Sequence, residues 1–181
     1  MNKEIILTRR CFVKKTLHLS AGIVLASPLE SMAMLTKQPM SFYHTHTGER
    51  LEINYSGKGC ASSVLKELDY FLRDFRTGEV HPIDPALLNI LYNIQQKSGS
   101  RGFIEIISGY RSPNTNKLLQ SKSSGVARQS LHMKGLALDI RFTGLKTRDL
   151  RDMAISLQRG GVGYYPKSDF VHIDTGRFRI W

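Results

Sequence analysis

Three stretches of the chain repeat apolar side chains at steps of three and four. From 62 to 76, Val64, Leu65, Leu68, Phe71, Leu72 and Phe75 share one side and Gly78 follows. A second run carries Leu88, Leu91 and Tyr92 behind Asp84-Pro85 and stops before Gly99, and a third, 147–157, carries Leu150, Met153, Ala154 and Leu157 ahead of Gly160-Gly161. Each is the stripe of an amphipathic helix, with Asp84 and Thr147 as N-caps and the glycines as stops. Between these stretches the period drops to two. SFYHTHTGERLEINY, 41–55, predicts a hairpin folded at Thr47-Gly48, and FIEIIS, 103–108, is a β-branched run suited to a central strand that opens into GYRSPNTN. Leu136, Leu138 and Ile140 alternate around Asp139, and 161–174 predicts two short strands joined by Pro166 to Asp169. With a short helix after Pro113 and a polar mobile loop over 121–130, SKSSGVARQS, the pattern is α+β: a small, mainly antiparallel sheet flanked by helices.

The first 33 residues do not fit that pattern. TRRCFVK at 8–14 has a small polar residue, two arginines, a spacer, an aromatic, an aliphatic and a lysine. LHLSAGIVLASP follows, and Ser31 and Ala33 offer a small-residue cleavage site. This is the layout of a twin-arginine export signal, so residues 1–33 are expected to be removed, leaving one domain over 34–181 in the periplasm. No apolar run reaches the roughly 18 residues of a membrane span. The formal charge of +11 loses five basic and two acidic side chains with the leader and stays at +8. No basic run with interleaved aromatics accompanies that excess, so nucleic acid is not the expected partner; an anionic cell-wall polymer or a membrane surface suits the same sign. Cys11 goes with the leader, which leaves Cys60 without an intramolecular partner.

The chemistry concentrates in SLHMKGLALDI, 130–140, and FVHID, 170–174. His132 precedes a turn at Gly135, Asp139 rides in on the following strand, and His172 ends a second short strand. Two imidazoles and a carboxylate are the ligand set of a catalytic Zn2+ that keeps a fourth position open. Asp169, three residues before His172, has a spacing from which a carboxylate could act as general base on the attacking water. Asp174 shares a strand face with His172, where it could orient a ligand or a substrate amine. His44 and His46 also share a strand face, but with no third ligand nearby a structural or surface role is expected.

SGYRS at 108–112, SxHxxGxAxD filled by Ser130, His132, Gly135, Ala137 and Asp139, and DxxHxD filled by Asp169, His172 and Asp174 resemble the zinc D-alanyl-D-alanine peptidases of the VanX/VanY type. From HTGE at 46–49 to Trp181, the chain resembles their murein endopeptidase K-like branch. The resemblance implies the D-Ala-D-Ala peptidase/Hedgehog-like fold. It implies a periplasmic zinc peptidase that hydrolyses peptide cross-links in peptidoglycan, between diaminopimelate residues and also from D-alanine to diaminopimelate. It further implies that Arg111 holds the substrate carbonyl as negative charge develops. The VanX type has glutamate where this chain has Asp169. A zinc D,D-carboxypeptidase and a catalytically silent wall-binding module are the alternatives.

Overall fold

The computed structural model describes residues 39–123 and 125–181, and the expected leader lies outside them. Seven strands form one sheet: β1 (Met40–His44), β2 (Arg50–Ile53), β3 (Ile104–Ser108), β4 (Ala137–Phe142), β5 (Gly161–Tyr165), β6 (Phe170–Asp174) and β7 (Arg179–Ile180). Their order is β2-β1-β3-β4-β6-β5-β7. Four of the neighbouring pairs are antiparallel and two, β1 with β3 and β5 with β7, are parallel, so the sheet is mixed rather than purely antiparallel. Among the described residues four helices accompany it: α1 (Ser62–Phe71), α2 (Ala86–Ser98), α3 (Pro113–Lys122) and α4 (Thr147–Ser156).

Alternation along the central strands divides their side chains between two environments. Leu138, Ile140, Val162, Val171 and Ile173 join Leu87, Leu91, Leu150 and Ala154 in the apolar core, and α4 packs on β4, β5 and β6. Asp139, His172 and Asp174, on the other face, are buried too. Central strands covered on both faces lose the simple in–out burial pattern of an exposed antiparallel sheet.

Several predicted helix ends move; α2 starts at Ala86 with Pro85 before it, although Asp84 Oδ1 still accepts from Ala86 N at 2.9 Å. The first helix ends at Phe71 rather than Arg76, and the Leu72 carbonyl just beyond it accepts from Tyr110 N at 2.7 Å. Thr147 is the first residue of α4 rather than its cap. Its hydroxyl donates to Asp169 Oδ1 at 2.9 Å instead of closing the helix end.

His44 is fully buried. Its ring lies 5.9 Å from that of Phe71 and 5.7 Å from that of Phe75. Nδ1 accepts from His46 N at 3.3 Å, while Nε2 has no partner among the described residues. Burial, assisted by the neighbouring His46, lowers its pKa to about 4 from 6.5. The unfolded chain therefore takes up a proton at higher pH than the folded one, and folding stability falls as pH drops through the window from about 6.5 to about 4. His44→Leu is expected to remove most of that acid sensitivity, worth up to about 3 kcal/mol, in urea titrations at pH 7 and pH 4.5. Equal losses in parent and variant would contradict the assignment.

Candidate metal centre

The antiparallel register places Asp139 on β4 directly opposite His172 on β6, and Ser108 on β3 opposite Asp139. His132 comes from a 3-10 turn, Leu131–Lys134, that Gly135 closes in the left-handed conformation at φ 67°. A Cβ at Gly135 would also fall 2.1 Å from the Pro82 carbonyl, so both backbone angle and space require glycine there. The Gly109–Ser112 segment pins the turn from the other side. His132 O accepts from Arg111 N at 3.2 Å, and Ser112 N in turn donates to the buried Asp74 Oδ2 at 2.9 Å.

Three acceptor atoms converge as a result. His132 Nε2 is 3.2 Å from His172 Nδ1 and 3.3 Å from Asp139 Oδ1, and His172 Nδ1 is 2.9 Å from the same oxygen. The far side of each imidazole meets an atom that can only accept: His132 Nδ1–H donates to Gly109 O at 2.8 Å, and His172 Nε2–H donates to Asp174 Oδ2 at 3.1 Å. Each ring thus turns its other nitrogen inward, which is how metal-binding histidines are oriented. Ligands about 2.0–2.1 Å from a tetrahedral ion are about 3.3 Å from one another, so the triangle fits Zn2+. Converging lone pairs and a carboxylate repel one another unless a cation stands among them. The ionisation of the groups agrees. Burial would lower the pKa of His172, but Asp139 and Asp174 outweigh it and raise it. Burial would raise that of Asp139, yet the two histidines hold it well below the ordinary carboxylate range.

Asp174 is fully buried. Its Oδ1 accepts from Gly161 N at 2.9 Å and Gly176 N at 2.8 Å, and Arg179 Nη2 donates to Oδ2 at 2.7 Å. Of the two roles open in the sequence, orienting a ligand is therefore the one the geometry favours. Arg111 is mostly buried, with Nη2 3.5 Å from Ser108 Oγ and 3.7 Å from Asp139 Oδ2, and its Nε has no partner among the described residues. Burial pushes its pKa down and Asp139 opposes the shift.

Asp169 is not brought to the other four predicted site residues. Its exposed carboxylate accepts from Thr147 Oγ1 and, at 3.4 Å, from Arg141 Nη1, and its backbone is left-handed at φ 51°. That turn conformation, just ahead of β6, directs the carboxylate to Thr147 and Arg141, which the three-residue spacing to His172 could not show. Tyr110 and Ser112 pack rather than line the site: Tyr110 stacks on His81, and Ser112 caps α3.

The triangle opens into a cleft of about 490 Å³, walled on one side by Ser123, Gly125–Ala127 and Gln129–Leu131 and on the other by Tyr165, Phe170, Arg179 and Trp181. Ala127 O in the first wall accepts from Asn116 Nδ2 and Gln120 Nε2 of α3. Spacing could not have shown the roles of Asp74 and Arg179, since each acts through a bond to a residue distant in the chain or across a turn. Asp174→Asn is expected to weaken zinc binding about 10–100-fold in chelator competition while the chain stays folded; unchanged affinity would remove Asp174 from the site.

Residues 32–181 match the family Peptidase_M15_2, described as peptidoglycan L,D-endopeptidase MepK. The chain is 46% identical over 159 residues to a Haemophilus influenzae protein named probable peptidoglycan L,D-endopeptidase MepK, covering 85% of this chain and 86% of that one. It is 39% identical over 164 residues, 90% of each chain, to proteins of Escherichia coli K12 and Shigella flexneri named peptidoglycan L,D-endopeptidase MepK. No solved structure gives a significant match. With a family match spanning the whole described domain and relatives covered nearly end to end, the chain belongs to the Peptidase_M15_2 family of peptidoglycan L,D-endopeptidases.

Proposed function

We propose that this chain is a zinc-dependent murein endopeptidase that hydrolyses peptide cross-links of peptidoglycan in the periplasm, reached by the twin-arginine route. Links between diaminopimelate residues are the first substrate and D-alanyl to diaminopimelate links the second. The observation that carries this reading is the inward-facing triangle of His132 Nε2, Asp139 Oδ1 and His172 Nδ1 at the floor of an open cleft. The relatives' names support the substrate class.

Zn2+ held by these three residues supplies Lewis acidity, polarising an amide carbonyl and lowering the pKa of water toward about 7. The chain's own groups do the rest. Asp139 and the two imidazoles provide the donor set, and Gly109 O and Asp174 keep the rings turned. Arg111 presents a guanidinium at the cleft beside Asp139, where its N–H groups can donate to the carbonyl oxygen as charge develops. Asp139 carries the sole side-chain carboxylate among the described cleft residues. Asp169 lies outside that lining, its carboxylate accepting from Thr147 and Arg141, and would have to turn into the cleft to take the water's proton.

Digestion of purified muropeptide dimers, with products read by mass with and without chelator, tests the reading. Chelator-sensitive release of monomers supports it. Loss of a single alanine would make the chain a D,D-carboxypeptidase, and no change at any zinc level would leave a wall-binding module. His132→Ala, Asp139→Ala and His172→Ala are expected to lose zinc and hydrolysis together. Arg111→Ala should keep its zinc and lose about 10²–10³ in kcat. Asp169→Ala keeps zinc; near-normal turnover in that variant would place the base elsewhere.

A further inference from the structure

Trp181 stands at the cleft wall, 47% exposed, with its ring centroid 5.2 Å from that of His172. Its backbone is tied to β5 on both sides, Trp181 N donating to Val162 O at 3.2 Å and Tyr164 N donating to Trp181 O at 3.0 Å. The indole Nε1–H donates to Tyr165 Oη at 2.9 Å, and the Arg179 guanidinium lies 4.8 Å from the ring centroid. Directly across the ladder from His172 is Gly163. A Cβ at Gly163 would fall 2.6, 2.7 and 2.8 Å from three atoms of the indole. Gly163 is not left-handed, so space alone requires a glycine there. The indole thus fills the volume beside His172 that a cross-strand side chain would occupy.

An indole whose N–H is engaged and whose position is fixed has its apolar face left to offer. We propose that Trp181 is a substrate-contacting wall that takes the aliphatic chain of the diamino acid flanking the scissile amide. The proposal rests on the endopeptidase reading above and names what one wall of that site contacts. Two surfaces of peptidoglycan stack on indoles, the methylene chain of the diamino acid and the C–H face of a sugar. Distance selects between them. A ring beside His172 lies next to the reacting bond. The sugar is two residues further along the stem, at about 3.3–3.6 Å per extended residue plus its lactyl link, hence roughly 10 Å away.

The test uses the full zinc-loaded chain and glycan-free peptide dimers linked through diaminopimelate. Trp181→Ala and Gly163→Ala, the second of which displaces the indole without removing it, should each lower kcat/KM about tenfold or more through KM. Trp181→Phe should recover most of the loss, and all three should keep one zinc per chain. Because the sequence holds a single tryptophan, fluorescence reports on this residue alone; it should shift saturably with the dimers and not with the disaccharide. Unchanged kcat/KM in Trp181→Ala overturns the proposal, as does zinc loss in parallel with activity, or a defect confined to glycan-bearing substrates. Should Trp181→Ala fail to fold, the Gly163→Ala rates and the parent's fluorescence decide by the same criteria. A parent that leaves the dimers intact sinks the endopeptidase reading instead, and its fluorescence response still decides whether the indole contacts the peptide.

Discussion

Two imidazole nitrogens and a carboxylate oxygen facing one another within 3.3 Å in a largely buried pocket constitute the constraint around which this domain is built. Without a positive charge among them the arrangement is electrostatically unfavourable, and burial makes it more so. A stable fold keeps such a cluster only when a cation or proton compensates it and the surrounding bonds prevent its relaxation. Both conditions are visible here. The raised pKa of His172 and the depressed pKa of Asp139 are the response to that convergence when a proton serves as the compensating charge.

The bonds that prevent relaxation come from elements distant in sequence. Asp139 and His172 are held by strand register, the stiffest device available, because slipping either strand by one residue would turn its functional side chain to the opposite face. His132 has no strand, and its position depends on a turn that Gly135 closes against Pro82 and that Gly109 and Arg111 grip. Asp74 anchors the gripping segment from below. On the far side, Asp174 links His172 to Arg179, and Arg179 underlies the indole that walls the cleft. One chain of contacts therefore runs from the end of α1 through the triangle to β7.

Much of this was legible in the sequence because it obeys short periods. The three helices, the hairpin at Thr47-Gly48 and the paired strands at 161–174 follow from apolar spacing and turn residues. The three converging residues stood out because both histidines and Asp139 lie in turn-to-strand contexts. What could not be read depends on tertiary geometry. The spacing of Asp169 from His172 says nothing of where a residue in the connection between two strands points, and the left-handed turn at Asp169 carries the carboxylate to Thr147 and Arg141. The parallel pairings of β1 with β3 and β5 with β7 leave no local signal, because each joins segments separated by other elements. The partnership of Gly163 with Trp181 is equally silent, since a glycine in a strand reads as weakness until its neighbour is known.

The most direct measurement of the central claim is X-ray absorption at the zinc edge of the full chain carrying one equivalent of zinc. The account predicts a first shell of nitrogen and oxygen at about 2.0–2.1 Å, with outer-shell scattering from two imidazoles and with no sulfur. A sulfur shell at about 2.3 Å, which would bring in a cysteine, or a spectrum without imidazole scattering, would contradict it.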